Sequence, residues 1–463
     1  MDSSAARAAA PDTEGDVNLS PARSAWAAQR HDAATAQALA DDSRYFLHQS
    51  MSTPCLDVLQ QAEGCWLETV SGHRYLDFHG NSVHQLGHGH PAVLARLQAQ
   101  LATLPFAPRR YTHAAAIDCA RRLAELAPGD LNRVLFAPGG AEVVGMALKL
   151  ARLVSGRHKV VSLWDSFHGA TLDAISVGGE AGFRRGLGPL LPGVERIPPP
   201  TRYRGVWYRG DGDDLHYADY LEYVIEKEGD IGAFIAEPIR NTDVQMPSAA
   251  YWQRIRAICD RHGVLLIADE IPNALGRTGK LFSFEHFGIE PDMICLGKGL
   301  GGGIVPFAAL IARDRFNVAA AVSLGHFTHE KSPLGAAAAL ATLDTLADEG
   351  LLAKAEADGR YLQAALEDLQ RRHPVIGQVR GVGMLWALDL VEDPTSRRRN
   401  RAAAEFVLYA CLEAGLSFKL AQGNVIQLSP PLIISRVELA LAVEILDQAF
   451  CRYEQSLTEP HHE

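Results

Sequence analysis

The chain has 463 residues, 47% hydrophobic and 21% charged, a globular composition that at about 150 residues per domain suggests two or three domains. Lys and Arg number 44 against 55 Asp and Glu, a net charge of −11 without a basic block, which argues against nucleic acid and anionic membrane surfaces as partners. No apolar run approaches the roughly 20 residues of a bilayer span, the first residues lack the apolar core of a secretory leader, and seven scattered cysteines without a CxxC pair read as buried free thiols of a reducing, cytoplasmic compartment.

In chain order, residues 1–20 are rich in Ala, Ser, Asp and Pro and read as a disordered arm. From Asn132 onward short apolar runs alternate with helical patterns. Arg133–Ala137 is a strand candidate, followed by a helix over Glu142–Val154. Lys159–Leu163, Ala233–Ala236, Val264–Ala268 and Asp292–Leu296 are further short apolar runs, and Tyr251–His262 has helical spacing. Continuous apolar strands predict a mostly parallel sheet covered by helices on both faces. The three prolines at 198–200 open a surface excursion to Asp219. Beyond Ala336 a long Ala/Leu helix leads into further helices, and Arg380–Leu390 and Asn424–Leu432 read as strands. The fold class is α/β, a large domain plus a smaller α+β domain. The expected divisions are an N-terminal segment over 21–85 packing with the small domain, the large domain over 86–335 and the small domain over 336–463.

Asp269 directly follows the apolar run ending at Ala268, and Lys298 follows the run ending at Leu296. Ligands of open α/β sheets bind beyond the carboxyl ends of the strands. A lysine that forms a Schiff base and an aspartate that keeps a pyridine nitrogen protonated suit pyridoxal 5'-phosphate. The plainer alternative makes Lys298 a solvated loop lysine and Asp269 a helix N-cap. Pro138–Glu142 joins a strand to a helix N-terminus through Gly139 and Gly140, where free N–H groups favour a phosphate, although glycine-rich turns have other uses. The run Gly299–Gly303 does not make a nucleotide P-loop, because Lys298 is followed by Gly rather than Ser or Thr.

The segments PGGAEVVGMALKLAR, WDSFHGAT, AEPI, LLIADEI, GRTGK, GKGLGGG and NVIQLSPPL occur in an order and spacing that resemble the class III aminotransferases, from about Pro54 to about Leu446. The resemblance implies a fold-type-I enzyme dependent on pyridoxal 5'-phosphate. It assigns Lys298 as Schiff-base lysine and proton shuttle, and Asp269 as partner of the pyridine nitrogen. Gly140 and Ala141 would offer N–H groups to the phosphate, Phe167 would stack on the ring, and His168 would lie beside it. Ordinary core packing is the alternative for Phe167 and His168. Thr328 matches a threonine that reaches the neighbouring subunit's phosphate, which implies a homodimer with shared active sites. His84, His88 and His90 look like metal ligands, but the family carries this stretch as a turn before a helix, so no metal is assigned.

The departures from the family pattern bear on the substrate. Gln427 stands where many members clamp a substrate carboxylate with arginine, and Thr242 stands where ornithine-type members hold that arginine's glutamate partner. A neutral amide does not replace a bidentate guanidinium at equal strength. Pro272 and the run Glu330-Lys331-Ser332 also depart from the pattern. Arg240, and Arg109 with Arg110, are candidates to bind a phosphonate or phosphate, against a surface role. HQSMSTPC, RRYT, DEIPNALGRTGK and FTHEKSP look like the family's ammonia-lyases acting on (R)-1-hydroxy-2-aminoethylphosphonate, which yield phosphonoacetaldehyde and ammonia. The alternatives are an ω-amine:keto-acid transaminase and a non-catalytic binding protein of the same fold.

Overall fold

The computed structural model describes residues 20–49, 52–207 and 213–458. The expected N-terminal arm lies outside them except for Ser20. The chain divides into two compact units. One holds the residues up to Gly80, Thr242–Val244 and Ala357 onward; the other holds Asn81–Asn241 and Gln245–Glu356.

The larger unit is built on a seven-stranded sheet. In spatial order its strands are Leu131–Ala137, Ala308–Arg313, Met293–Leu296, Leu265–Asp269, Ile231–Ala236, Lys159–Leu163 and Val194–Ile197. From Met293–Leu296 to Val194–Ile197 neighbours run parallel, whereas Ala308–Arg313 is antiparallel to both of its neighbours. Ile231–Ala236 is buried at every residue, as a parallel strand covered on both faces must be. The helix Gly140–Ser155 lays Val143, Val144, Ala147 and Leu150 over Ala233, Ile235, Ile267 and Leu310. Each such large side chain contributes about 1.5–3 kcal/mol on burial. Gly156, at φ 67, closes this helix in the left-handed conformation.

Several boundaries differ from those read in the sequence. The strand expected at Val264–Ala268 runs Leu265–Asp269, so Asp269 is its last residue. The excursion expected to reach Asp219 ends earlier, because a helix starts at Leu215 and buries Tyr217, Ala218, Leu221 and Ile225. The larger unit continues past residue 335, because the helix Pro333–Asp348 is buried along most of its length and packs on Pro91–Thr103 and Ala114–Leu126.

The smaller unit holds two four-stranded sheets. In one, Leu59–Glu63, Trp66–Thr69 and Arg74–Asp77 are antiparallel and Leu416–Ser417 joins in parallel. In the other the order is Ile376–Val382, Leu385–Leu390, Val425–Leu428, Lys419–Ala421. The segment 380–390, read as one strand, is therefore part of a hairpin, turned by Gly383 at φ 57. Trp26, on the helix Pro21–Arg30, meets Tyr409 on Arg401–Glu413 with ring centroids 5.9 Å apart. Five of the cysteines are buried, but Cys55 is half-buried and Cys451 exposed, so two escape the expectation of buried thiols. Among the described residues, no helix is long and apolar enough to cross a membrane.

Candidate active site

The site forms where three strand ends of the larger unit meet. Asp269 pairs in register with Cys295, and the Glu270 N–H donates to Cys295 O at 3.0 Å, which places the Lys298 turn beside the Asp269 loop. Lys298 opens the short 3-10 turn Lys298–Gly301 with φ 46, a conformation that costs a non-glycine residue about 1–3 kcal/mol. Residues held in such strain cluster at functional sites. Ile271 fills the space between the loops. A Cβ on Gly140 would lie 2.8 Å from Ile271 Cδ1, and one on Gly297 would lie 3.3 Å from Ile271 Cγ2.

Asp269 is 2% exposed and has two partners. Its Oδ2 lies 2.7 Å from His168 Nδ1, and its Oδ1 accepts from the Ile271 N–H at 3.1 Å. His168 is equally buried, and its Nε2 has no hydrogen-bond partner among the described residues. No helix begins directly after Asp269, so it is not a helix N-cap, and His168 does not have both ring nitrogens satisfied among the described residues. Gly169, at φ +129, brings this segment against the helix Gly140–Ser155, since a Cβ there would sit 2.6 Å from Ala141 Cβ. The helix starts without a side-chain cap, and its first N–H to reach an intrahelical acceptor is that of Val143, which donates to Gly139 O at 3.2 Å. The N–H groups of Gly140 and Ala141 thus lie at an open, electropositive helix start.

Sequence reasoning missed a second layer of polar groups. Glu237 is buried, and its carboxyl is pushed up first by burial and then by the Asp269 charge, while the Asn241 N–H, His168 and Arg240 pull it back down. The Asn241 N–H donates to Glu237 Oε2 at 2.8 Å and Asn241 Nδ2 to Asn273 Oδ1 at 2.8 Å. Glu270 is fully buried. Its Oε1 accepts from Ser283 Oγ and the Phe284 N–H, its Oε2 has no partner among the described residues, and burial pushes its pKa up to about 7. The signals for these residues were present in AEPIRNT and DEIPN, where asparagines stand next to the Thr242 and Pro272 departures.

The remaining predicted residues are placed less centrally. Phe167 is half-buried with its ring centroid 4.4 Å from that of Phe183. Arg240 is 7% exposed and donates its N–H to Gln245 O at 3.0 Å. Arg110 and Thr328 are exposed. They lie in two segments that meet, since Phe106 packs on His329 at 5.2 Å and His113 Nε2 lies 2.9 Å from Lys331 O. Gln427, in the smaller unit, is 2% exposed on the strand Val425–Leu428. The three histidines of the HQLGHGHP stretch diverge: His84 and His88 lie ring against ring at 5.6 Å, while His90 Nε2 pairs with Glu349 at 3.2 Å. A groove of about 590 Å³, lined by Ile117, Leu135 and Val322 among others, lies on the edge strand Leu131–Ala137 and includes none of the predicted site residues.

These groups fit pyridoxal 5'-phosphate. A buried carboxylate orientated by two hydrogen bonds suits a protonated ring nitrogen, a cradle closed to any side chain at Gly140 suits a phosphate, and a lysine stands on the neighbouring turn. The family model for class-III aminotransferases matches residues 48–450. The chain is 58% identical over 455 residues to the (R)-1-hydroxy-2-aminoethylphosphonate ammonia-lyase of Vibrio splendidus, covering 95% of each chain. Among solved structures, an amine transaminase from an uncultivated Pseudomonas species in its PLP-bound form matches with a TM-score of 0.82 and 34% identity, over 88% of this chain and 98% of that one. A transaminase from the marine bacterium Virgibacillus matches with a TM-score of 0.85 and 27% identity, over 91% of this chain and 100% of the other.

Proposed function

The chain belongs to the class III aminotransferases and uses pyridoxal 5'-phosphate, and from that membership we propose that it is an ammonia-lyase converting (R)-1-hydroxy-2-aminoethylphosphonate to phosphonoacetaldehyde and ammonia. The observation that carries this reading is the 58% identity, over 95% of both chains, to a protein of that activity. The bound cofactor supplies an electron sink for the carbon bearing the amine. Lys298 takes the proton from that carbon. Hydroxide then leaves from the neighbouring carbon, which bears the phosphorus, and the resulting enamine hydrolyses to aldehyde and ammonia. The water lost in elimination is regained in hydrolysis, so no keto acid is consumed.

Asp269, held by His168 and the Ile271 N–H, is assigned to the ring nitrogen, and Phe167 to the ring face. The N–H groups of Gly140 and Ala141 are assigned to the phosphate. Arg240 is the first candidate for the substrate phosphonate: it is 7% exposed, and its charge acts on Glu237 beside Asp269. Arg110 is assigned to the same anion from the rim, and Gln427 stands where a carboxylate clamp is absent. Thr328 is assigned to the partner subunit's phosphate in a homodimer. Its exposure supports this, as does the apolar groove beside it on the sheet edge.

The test is incubation of the holoenzyme with the substrate and no keto acid. Ammonia released over many turnovers supports the lyase. A single turnover that leaves the cofactor as pyridoxamine phosphate overturns it in favour of a transaminase.

A further inference from the structure

Arg240 lies between two residues that a single side chain holds. Asn273 is fully buried and uses both ends of its carboxamide: Nδ2 donates to the Ile239 carbonyl, and Oδ1 accepts from Asn241 Nδ2 at 2.8 Å. Ile239 and Asn241 are the residues immediately before and after Arg240. The rest of the Asn241 side chain and backbone is fixed as well. Its Oδ1 accepts from Ser82 Oγ at 3.3 Å, and its N–H donates to Glu237 Oε2 at 2.8 Å. With the Arg240 N–H on Gln245 O, three consecutive residues are fixed by hydrogen bonds around the guanidinium's stem.

We infer that Asn273 is a positioning residue for substrate specificity, clamping both flanks of Arg240 so that its guanidinium is aimed at the substrate's phosphonate. The inference rests on the reading of Arg240 given above. The position requires a short, planar group with one donor and one acceptor. Aspartate lacks the donor, leucine lacks both, and either would leave the Ile239 carbonyl or the Asn241 amide buried without its partner. Asn273 also lies four residues beyond Asp269. The clamp therefore ties the loop that carries the proposed ring partner to the loop that carries the proposed anion ligand, and fixes the distance between the two ends of the substrate. Displacements of about 1 Å at such a ligand cost up to about 100-fold.

The test measures binding to the holoenzyme by calorimetry, with 2-aminoethylphosphonate as the probe that carries the anion and n-propylamine as the amine that lacks it. Arg240→Ala is expected to weaken 2-aminoethylphosphonate about 10- to 100-fold and n-propylamine little. Asn273→Ala is expected to weaken 2-aminoethylphosphonate selectively by about 10-fold, and the double variant to bind it no more weakly than Arg240→Ala alone. Equal weakening of both probes by Asn273→Ala, or additive losses in the double variant, overturns the clamp while leaving Arg240 as anion ligand. Unchanged 2-aminoethylphosphonate binding in Arg240→Ala removes Arg240 from the substrate site and the clamp with it. Should Asn273→Ala fail to retain cofactor, Asn241→Ala removes one arm of the clamp, the Asn273 Oδ1 contact, and must weaken 2-aminoethylphosphonate selectively as well.

Discussion

The imidazole of His168 and the carboxylate of Asp269 are joined by a 2.7 Å hydrogen bond from Nδ1 to Oδ2, and both side chains are almost wholly removed from solvent. With the second carboxylate oxygen on the Ile271 N–H, the group is fixed in plane and direction. A carboxylate fixed in this way is what the proposed contact to a ring nitrogen requires.

Asp269→Asn keeps the shape and removes the charge. It is expected to lower kcat by about 10- to 100-fold or more, the scale of a hydrogen bond to a charged group. It should also weaken cofactor retention, measured by the absorbance that survives dialysis. His168→Ala leaves Oδ2 buried without its partner and should give a smaller loss of the same kind. A Asp269→Asn variant with undiminished turnover would show that this carboxylate does not hold the ring nitrogen.

Lys298→Ala removes the amine but keeps a Cβ, and with it the strain of the positive φ of 46. Borohydride reduction of the wild-type holoenzyme is expected to add the mass of the cofactor to the peptide carrying residue 298, and the variant should show no such adduct. Turnover should fall by about 100- to 10,000-fold, the usual contribution of a positioned proton-transfer group. Labelling of a different lysine in the wild type would move the assignment.

The parts of this site that sequence made legible are those with strong local signals. Asp269 and Lys298 stand at the ends of continuous apolar runs, and Gly140 stands between a strand and a helix, so strand-end chemistry placed them together. The strand Ala308–Arg313 was not singled out, although it pairs on both sides, between the edge strand Leu131–Ala137 and Met293–Leu296, because its short apolar run follows a glycine-rich stretch with no helix between to announce it. For the layer formed by Glu237, Asn241, Asn273 and Ser82, the asparagines beside Thr242 and Pro272 marked positions but not partners. Its members are up to 191 positions apart (Ser82 to Asn273), and each is an ordinary polar residue until the chain folds. Periodicity reports which face of an element is buried; it carries no information about which buried carboxamide meets which loop.

Glu270 makes stability depend on pH in a definite direction. Burial, helped by the Asp269 charge and opposed by hydrogen bonds from Ser283 and Phe284, raises its pKa from 4.5 to about 7. Between those values the folded state holds a proton that the unfolded state has released, so this contribution is complete below pH 4.5 and is lost as pH rises through 7. Ionised above that, the group costs of order 3 kcal/mol. Glu270→Gln keeps an acceptor for Ser283 Oγ and the Phe284 N–H and carries no charge. In urea unfolding the variant should exceed the wild type at pH 8 and converge with it toward pH 4.5. Parallel pH profiles of the two proteins would show that Glu270 does not titrate in this range.

Gly299 follows Lys298 and has no room for a side chain. A Cβ there would lie 2.0 Å from Gln85 Oε1 and 2.3 Å from Gln85 Cδ, and Gln85, 1% exposed, is enclosed. Neighbouring contacts hold the same segment down, since a Cβ on Gly303 would meet Val83 O at 3.1 Å. Gly299→Ala therefore has to displace either the Gln85 carboxamide or the turn that presents Lys298. The first route costs about 1–3 kcal/mol of stability through overpacking; the second lowers kcat as well. Removing the obstacle distinguishes them. In the double variant Gln85→Ala, Gly299→Ala the added methyl occupies space vacated by the glutamine, so stability and kcat should recover toward those of Gln85→Ala alone. Additive losses in that cycle would mean that Gln85 does not bear on the lysine turn.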